Sequence, residues 1–260
     1  MIRRCALLLL ALLLSFSALA QEAQQQPAAI PTPADVFNLP MGARFTQQHR
    51  LLRYFDELTR RSNLITIEPI GESYEGRPLV LATITSPRNR AALDTIRANA
   101  KLLANGEGDI DALATQMPVI VWLAFGVHGN ESSSSEAAMW VAHSLVSDPQ
   151  ITRVLDNVVV VLDPLENPDG RERYVTWFQR TMGLNPNPNP DAFEHQEPWP
   201  GGRFNHYLID MNRDWAWLSQ RETQARVAAY REWNPQVFVD FHEMSPQSTY
   251  FFPPDAKPIN

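Results

Sequence analysis

Two histidines and a glutamate stand in this sequence where they could hold a metal ion. His128-Gly129-Asn130-Glu131 sets an imidazole and a carboxylate three positions apart, and Gly129 between them lets the backbone fold tightly enough for both to converge on one ion. The second histidine, His242, ends the apolar run Val237-Phe238-Val239-Asp240-Phe241. Two imidazoles and one carboxylate give zinc three protein ligands and leave a position for water, the pattern of a catalytic rather than a structural site. Asp240 or Glu243, on either side of His242, could orient a ligand from behind. Asn212-Arg213 offers an amide and a guanidinium side by side, a fork of donors suited to gripping a carboxylate. Asn167-Pro168-Asp169-Gly170 reads first as a turn.

The flanking elements place these groups on a common rim. Val119–Phe125 and residues 158–162 are short continuous apolar runs, as expected of strands covered on both faces. A helix is predicted between them over 136–146, with Ser132 to Ser135 as possible caps. A second helix over 220–233 leads into the strand Val237–Phe241. This strand–helix–strand order implies an α/β fold around a mixed, mainly parallel sheet with helices on both faces. His128 and His242 each follow the carboxyl end of a strand, which is where open sheets of this class build their sites. Further elements are predicted as an amphipathic helix over 46–62, a strand over 79–85 and a helix over 88–105, and residues 183–202 read as a long Pro-rich loop.

Length and composition bound the possibilities. The 260 residues suffice for one sizeable domain, and 44% hydrophobic content with 20% charged residues excludes disorder, collagen and coiled coil. A formal charge of −7 argues against broad phosphate-backbone binding, so no nucleic-acid partner is expected. Arg3 and Arg4 precede an apolar run from Ala6 to Ala20 that ends in Ala18-Leu19-Ala20, the layout of a secretory signal peptide cut after Ala20. That run is about 15 residues, short of the roughly 20 of a spanning helix, and the expected location is secreted or periplasmic. The single cysteine, Cys5, would leave with the signal, which excludes a disulfide framework and a thiolate site from the remainder. Residues 21–45 read as a Gln- and Pro-rich mobile leader, with structure beginning near Thr46. Residues 46–260 then read as one domain.

The order of these motifs, with Tyr74-Glu75-Gly76-Arg77-Pro78-Leu79 ahead of the others, resembles the zinc metallocarboxypeptidases of carboxypeptidase A and B type over roughly residues 46–250. The resemblance implies one Zn2+ per chain on His128, Glu131 and His242. It implies that Asn212 and Arg213 hold the terminal carboxylate of a peptide or protein substrate, and that an arginine, either Arg180 or Arg203, polarises the scissile carbonyl. Asn130 stands where the pancreatic branch has an arginine, a form similar to the regulatory branch.

One expected part has no match. Members of that family take the water's proton with a glutamate well after the last zinc ligand, and nothing from Glu243 to Asn260 fits that place. Tyr250 lies too near His242 to match the family's substrate-capping tyrosine. The resemblance therefore implies the N-terminal part of a longer enzyme, inactive in isolation. Two other functions suit the same residues: a peptidase acting on peptidoglycan stem peptides, and a non-catalytic module binding peptide carboxylates. His49 and His143 fall on predicted helices as structural or exposed groups, while His195 and His206 lie beside the Pro-rich loop, near any substrate rim.

Overall fold

A computed structural model describes residues 29–244 of the chain. The expected signal segment 1–20, the first part of the expected leader and Tyr250 lie outside the described residues. In chain order the elements are α1 Pro33–Phe37, α2 Gln48–Arg61, β1 Ile65–Glu72, β2 Pro78–Ile84, α3 Pro87–Ala91, α4 Leu93–Asn105, α5 Ile110–Gln116 and β3 Val119–Phe125. They continue with α6 Ser132–Ser147, α7 Pro149–Thr152, β4 Val158–Asp163, α8 Pro168–Thr181, α9 Arg221–Trp233 and β5 Val237–Phe241. Among the described residues the strands form one sheet in the order β1-β2-β4-β3-β5. β2 pairs antiparallel with both β1 and β4, while β3 pairs parallel with β4 and with β5. The sheet is thus mixed as expected, and β2 alone is reversed.

Alternation along the strands fills two cores. On one face Ile84, Phe125, Val160 and Leu162 meet Leu51, Tyr54, Phe55 and Leu58 of α2 and Ala138, Met139, Ala142 and Val146 of α6. On the other, Leu81, Ile120, Trp122, Val159 and Val161 meet Ile96 and Ala100 of α4 and Ala229 and Trp233 of α9. Successive residues of β4 point to opposite cores, which is why its sequence shows no polar face. Trp122 and Trp233 are essentially buried.

The structure corrects the boundaries in four places. The chain joins the fold before Thr46. Thr32 and Asp35 form a reciprocal capping box that starts α1, and Ile30, Val36 and Phe37 pack on the first core. β1 was not expected; it pairs with β2 as the first arm of a hairpin around the Tyr74–Arg77 turn. The predicted 88–105 helix breaks at Ala92, whose backbone leaves the helical region at φ -112° and ψ 10°, and beside the break Asn89 donates its amide to Thr85, Leu155 and Asp156. α6 begins at Ser132, so the serines lie inside it rather than ahead of it. The Glu243 carboxylate accepts from the Ser133 and Ser134 amides at 2.5 and 3.1 Å and supplies the cap.

Candidate active site

β3 and β5 run level, with Phe125 opposite Phe241 and the two rings stacked at 4.2 Å. The chain therefore releases His128 and His242 at the same sheet edge, with ring centroids 5.0 Å apart. Glu131, the residue preceding α6, lies between them. Its Oε1 is 2.8 Å from Nδ1 of His128, and its Oε2 is 3.0 Å from Nδ1 of His242. The Glu243 backbone N–H also donates to Oε2 at 2.9 Å. One ligand atom from each of His128, Glu131 and His242 lies within 4.8 Å of the others.

The far sides of both rings are committed. Nε2 of His128 faces Asp210 Oδ1 at 3.0 Å, and Nε2 of His242 faces Asp240 Oδ2 at 3.0 Å. When each remote nitrogen donates its proton to a carboxylate, both Nδ1 lone pairs turn inward toward Glu131. Two lone pairs and an anion converging on one point need a cation there. In the metal-free protein a proton serves on His242: hydrogen bonds to Asp240 and Glu131 raise its pKa to about 10. Burial opposes ionisation of Glu131, but its bonds to the two histidines and the Glu243 amide outweigh this and hold it down at about 2. The set is chemically and geometrically suited to a single zinc ion on His128, Glu131 and His242.

Behind Asp240 lies a buried charged layer. Asp163 and Asp240 both flank Ala124 in the sheet register, and Glu166 accepts from Arg226 Nη1 at 2.5 Å. Burial pushes the Asp163 and Glu166 carboxyls well above the ordinary range despite Arg226.

The wall opposite α6 comes from residues 197–214. Arg203 reaches the cluster: Nη1 is 3.3 Å from Nδ1 of His128 and 3.7 Å from Glu131 Oε1, while Nε and Nη2 hold Asp210 Oδ2 at 3.1 and 2.9 Å. Arg180 is exposed on α8, its Nε bonded to Thr176 one turn back in the same helix. Of the two candidate arginines, only Arg203 is brought to the metal ligands. Asn212 Nδ2 is 3.3 Å from Nε2 of His242, and Arg213, exposed beside it, donates to the Asn212 carbonyl at 3.0 Å. His143 bonds the Ile30 carbonyl, His195 bonds the Asn187 carbonyl, and His206 faces Glu75; His49 is exposed. None of the four joins the cluster.

The motif loops lock onto one another. Asn167-Pro168-Asp169-Gly170 is the capped start of α8 rather than a free turn, with Asn167 Oδ1 accepting from the Gly170 amide at 2.9 Å. Asp169 accepts from Ser73 Oγ and Arg77 Nη1, each at 2.6 Å, and so ties α8 to the β1–β2 turn. The Asn167 amide reaches the Val127 and Arg203 carbonyls at 3.2 and 3.1 Å. Gly129, Gly170 and Gly202 meet backbone to backbone, so that a Cβ on Gly129 would fall 2.1 Å from the Arg171 nitrogen.

Sequence reasoning missed Asp210 as the partner of His128, Glu197 as the partner of Asn130 at 2.8 Å, and the buried Arg171. For Asp210 a signal existed, since each metal-binding histidine usually carries an outer carboxylate and Asp210 opens the same short run as Asn212. Asp240 fills that role for His242, whereas Glu243 caps α6 and reaches Glu131 through its backbone.

A sequence profile described as zinc carboxypeptidase matches residues 51–258. Mouse carboxypeptidase A1 is 26% identical over 195 residues, covering 67% of this chain and 39% of its own length. Carboxypeptidase 2 of Trichophyton rubrum is 24% identical over 143 residues, covering 52% of this chain and 22% of its own length. The chain thus spans about two fifths of the first relative and less of the second. Among solved structures, carboxypeptidase A from Helicoverpa armigera superposes with a TM-score of 0.51 at 16% identity, over 90% of this chain and 53% of the other. A metallo-carboxypeptidase from Burkholderia cenocepacia gives 0.50 at 17%, over 76% and 40%. These two likenesses establish the fold, and the profile match over most of the length shows that the chain belongs to the zinc carboxypeptidase family.

Proposed function

We propose that the protein is a metallocarboxypeptidase that removes the C-terminal residue of a peptide or protein. The observation that carries this reading is the placement of Asn212 3.3 Å from His242, which sets a carboxylate-binding dipeptide against the metal ligands. Zinc on His128, Glu131 and His242 would act as a Lewis acid and bring a bound water's pKa to about 7. Asn212 and Arg213 would take the substrate's terminal carboxylate, with Arg213 free to swing its exposed guanidinium onto it. Arg203, held by Asp210, would donate to the scissile carbonyl oxygen and stabilise the charge that develops there. The resemblance to the family puts the proton transfer from water to the leaving amine on a glutamate well after the last zinc ligand, and we assign it to a carboxylate outside the described residues. We further propose that residues 1–20 are a cleaved signal and that the protein acts outside the cytoplasm. Among the described residues no helix is long and apolar enough to cross a membrane.

The test incubates the complete enzyme with a pair of peptides identical except that one ends in a free carboxylate and the other in an amide. With zinc present, mass spectrometry should show loss of one C-terminal residue from the free acid only, abolished by chelation and by His128→Ala. Equal cleavage of both peptides, or of neither, would overturn the reading.

A further inference from the structure

Arg171 is fully buried although it carries a charge. It lies in the first turn of α8, and its side chain runs beneath the start of α6. Nη1 donates to the Ser132 carbonyl at 2.9 Å, Nη2 to Glu136 Oε1 at 2.6 Å, and Nε to the Thr46 carbonyl at 3.0 Å. Glu136 also accepts from the Thr46 amide at 2.5 Å and from its hydroxyl at 2.8 Å. Every nitrogen of the guanidinium is therefore committed. The backbone of the same residue presses on the other end of the motif loop, since its nitrogen occupies the space that a Cβ on Gly129 would need.

Burying a guanidinium is costly, and here burial lowers the Arg171 pKa against the opposing pull of Glu136. Joining α8 to α6 could be done at less cost by an apolar side chain of similar volume. An apolar chain has no directed bonds, however, whereas a planar fork fixes the angle of whatever it grips. Ser132 directly follows Glu131, and Glu136 lies one turn further along the same helix, so Arg171 grips that first turn at two points.

We propose that Arg171 is a positioning residue for the metal centre: by holding the Ser132 carbonyl and Glu136 it sets the rotation of the first turn of α6, and hence the direction in which Glu131 presents its carboxylate between His128 and His242. The inference rests on reading those three residues as a zinc site.

The test compares wild type with Arg171→Met, Arg171→Lys, Glu136→Gln and a control, Asn89→Ala. Asn89 is also buried and hydrogen-bonded, but it sits beside the start of β4, at the opposite end of the sheet from the metal ligands. Three quantities are read: zinc affinity by chelator competition, the visible absorption of the cobalt-substituted protein, and the thermal midpoint. Arg171→Met should weaken zinc binding about 10–100-fold and alter the cobalt spectrum. Glu136→Gln and Arg171→Lys should move both in the same direction by less. Asn89→Ala should lower the midpoint and leave affinity and spectrum as in wild type. Wild-type zinc affinity and spectrum in Arg171→Met, or equal losses in Asn89→Ala, would reduce Arg171 to a structural role. If Arg171→Met does not fold, unchanged affinity and spectrum in both milder variants overturns the proposal. Failure of the wild type to bind zinc would instead refute the site itself.

Discussion

Asp210 Oδ1 lies 3.0 Å from Nε2 of His128, across 82 residues of chain. Burial opposes the charge on Asp210, yet the bonds from His128 and Arg203 hold its pKa below the usual carboxylate value. It is therefore ionised when it accepts the hydrogen bond from the ring Nε2–H, and it keeps the His128 Nδ1 lone pair aimed at the metal position. Asp210→Ala should weaken zinc binding about 10–100-fold with the fold intact, measured by chelator competition alongside circular dichroism.

Arg203 and Arg180 make opposite predictions. Arg203→Ala should lower kcat about 100–1,000-fold in the complete enzyme, in proportion to a lost donor at the developing oxyanion. Arg180→Ala, whose guanidinium bonds among the described residues only within its own helix, should leave kcat unchanged. Steady-state kinetics on one peptide separates them, and equal effects would remove the assignment.

Gly129→Ala tests the backbone packing of the motif loops. Its Cβ would fall 2.1 Å from Arg171 N, 2.3 Å from the Gly170 carbonyl carbon and 2.7 Å from the Gly202 carbonyl oxygen. No flexible side-chain end is available to yield. Destabilisation of about 3 kcal/mol or more is expected by urea unfolding, together with loss of zinc affinity.

Zinc entry should release a proton. With the metal absent, Asp240 and Glu131 hold the His242 pKa at about 10, so the ring is charged at neutral pH and must lose its Nδ1 proton to become a ligand. Titration in weak buffer at about pH 7 should register about one proton per zinc bound, and affinity should rise with pH.

The layer beneath Asp240 should contribute a pH-dependent share of stability. Burial raises the Asp163 and Glu166 carboxyls above their ordinary values of 3.8 and 4.5. Above those ordinary values the folded chain keeps protons on these two groups that the unfolded chain has released, so their contribution to stability is fully present below that range and is lost as pH rises through the raised values. Glu166→Gln keeps an acceptor for Arg226 and removes its share of the fall. Urea midpoints at about pH 5 and about pH 9 should differ less in the variant than in wild type, by about 1–3 kcal/mol in stability, and parallel behaviour would exclude the effect.

The legibility of the fold follows from burial. β3 and β4 could be read directly because both faces are largely covered and their sequences are near-continuous apolar runs, and β5 because four of its five residues are apolar although Val237 and Phe238 are exposed. β1 escaped because its alternation is broken at Pro69 and by a register shift between Pro69 and Gly71. α1 escaped because only five residues carry it, and its Thr32–Asp35 box lay within a Pro- and Ala-rich stretch that reads as linker. α6 was placed four residues late because its first turn is serine, and the group that caps it is Glu243, more than a hundred residues further on.

The site divides along the same line. His128, Glu131 and His242 could be identified from sequence because a metal ligand must be of a particular residue type, and because each histidine follows an apolar strand whose end must lie on the sheet rim. Arg203 rather than Arg180, Asp210 behind His128, and Arg171 beneath α6 were decided only by the tertiary structure. Arginine and aspartate are ordinary on any surface. What distinguishes these three is proximity across 39 to 125 residues of chain to Ser132, His128 and Thr46, a distance over which no local pattern of side chains carries information.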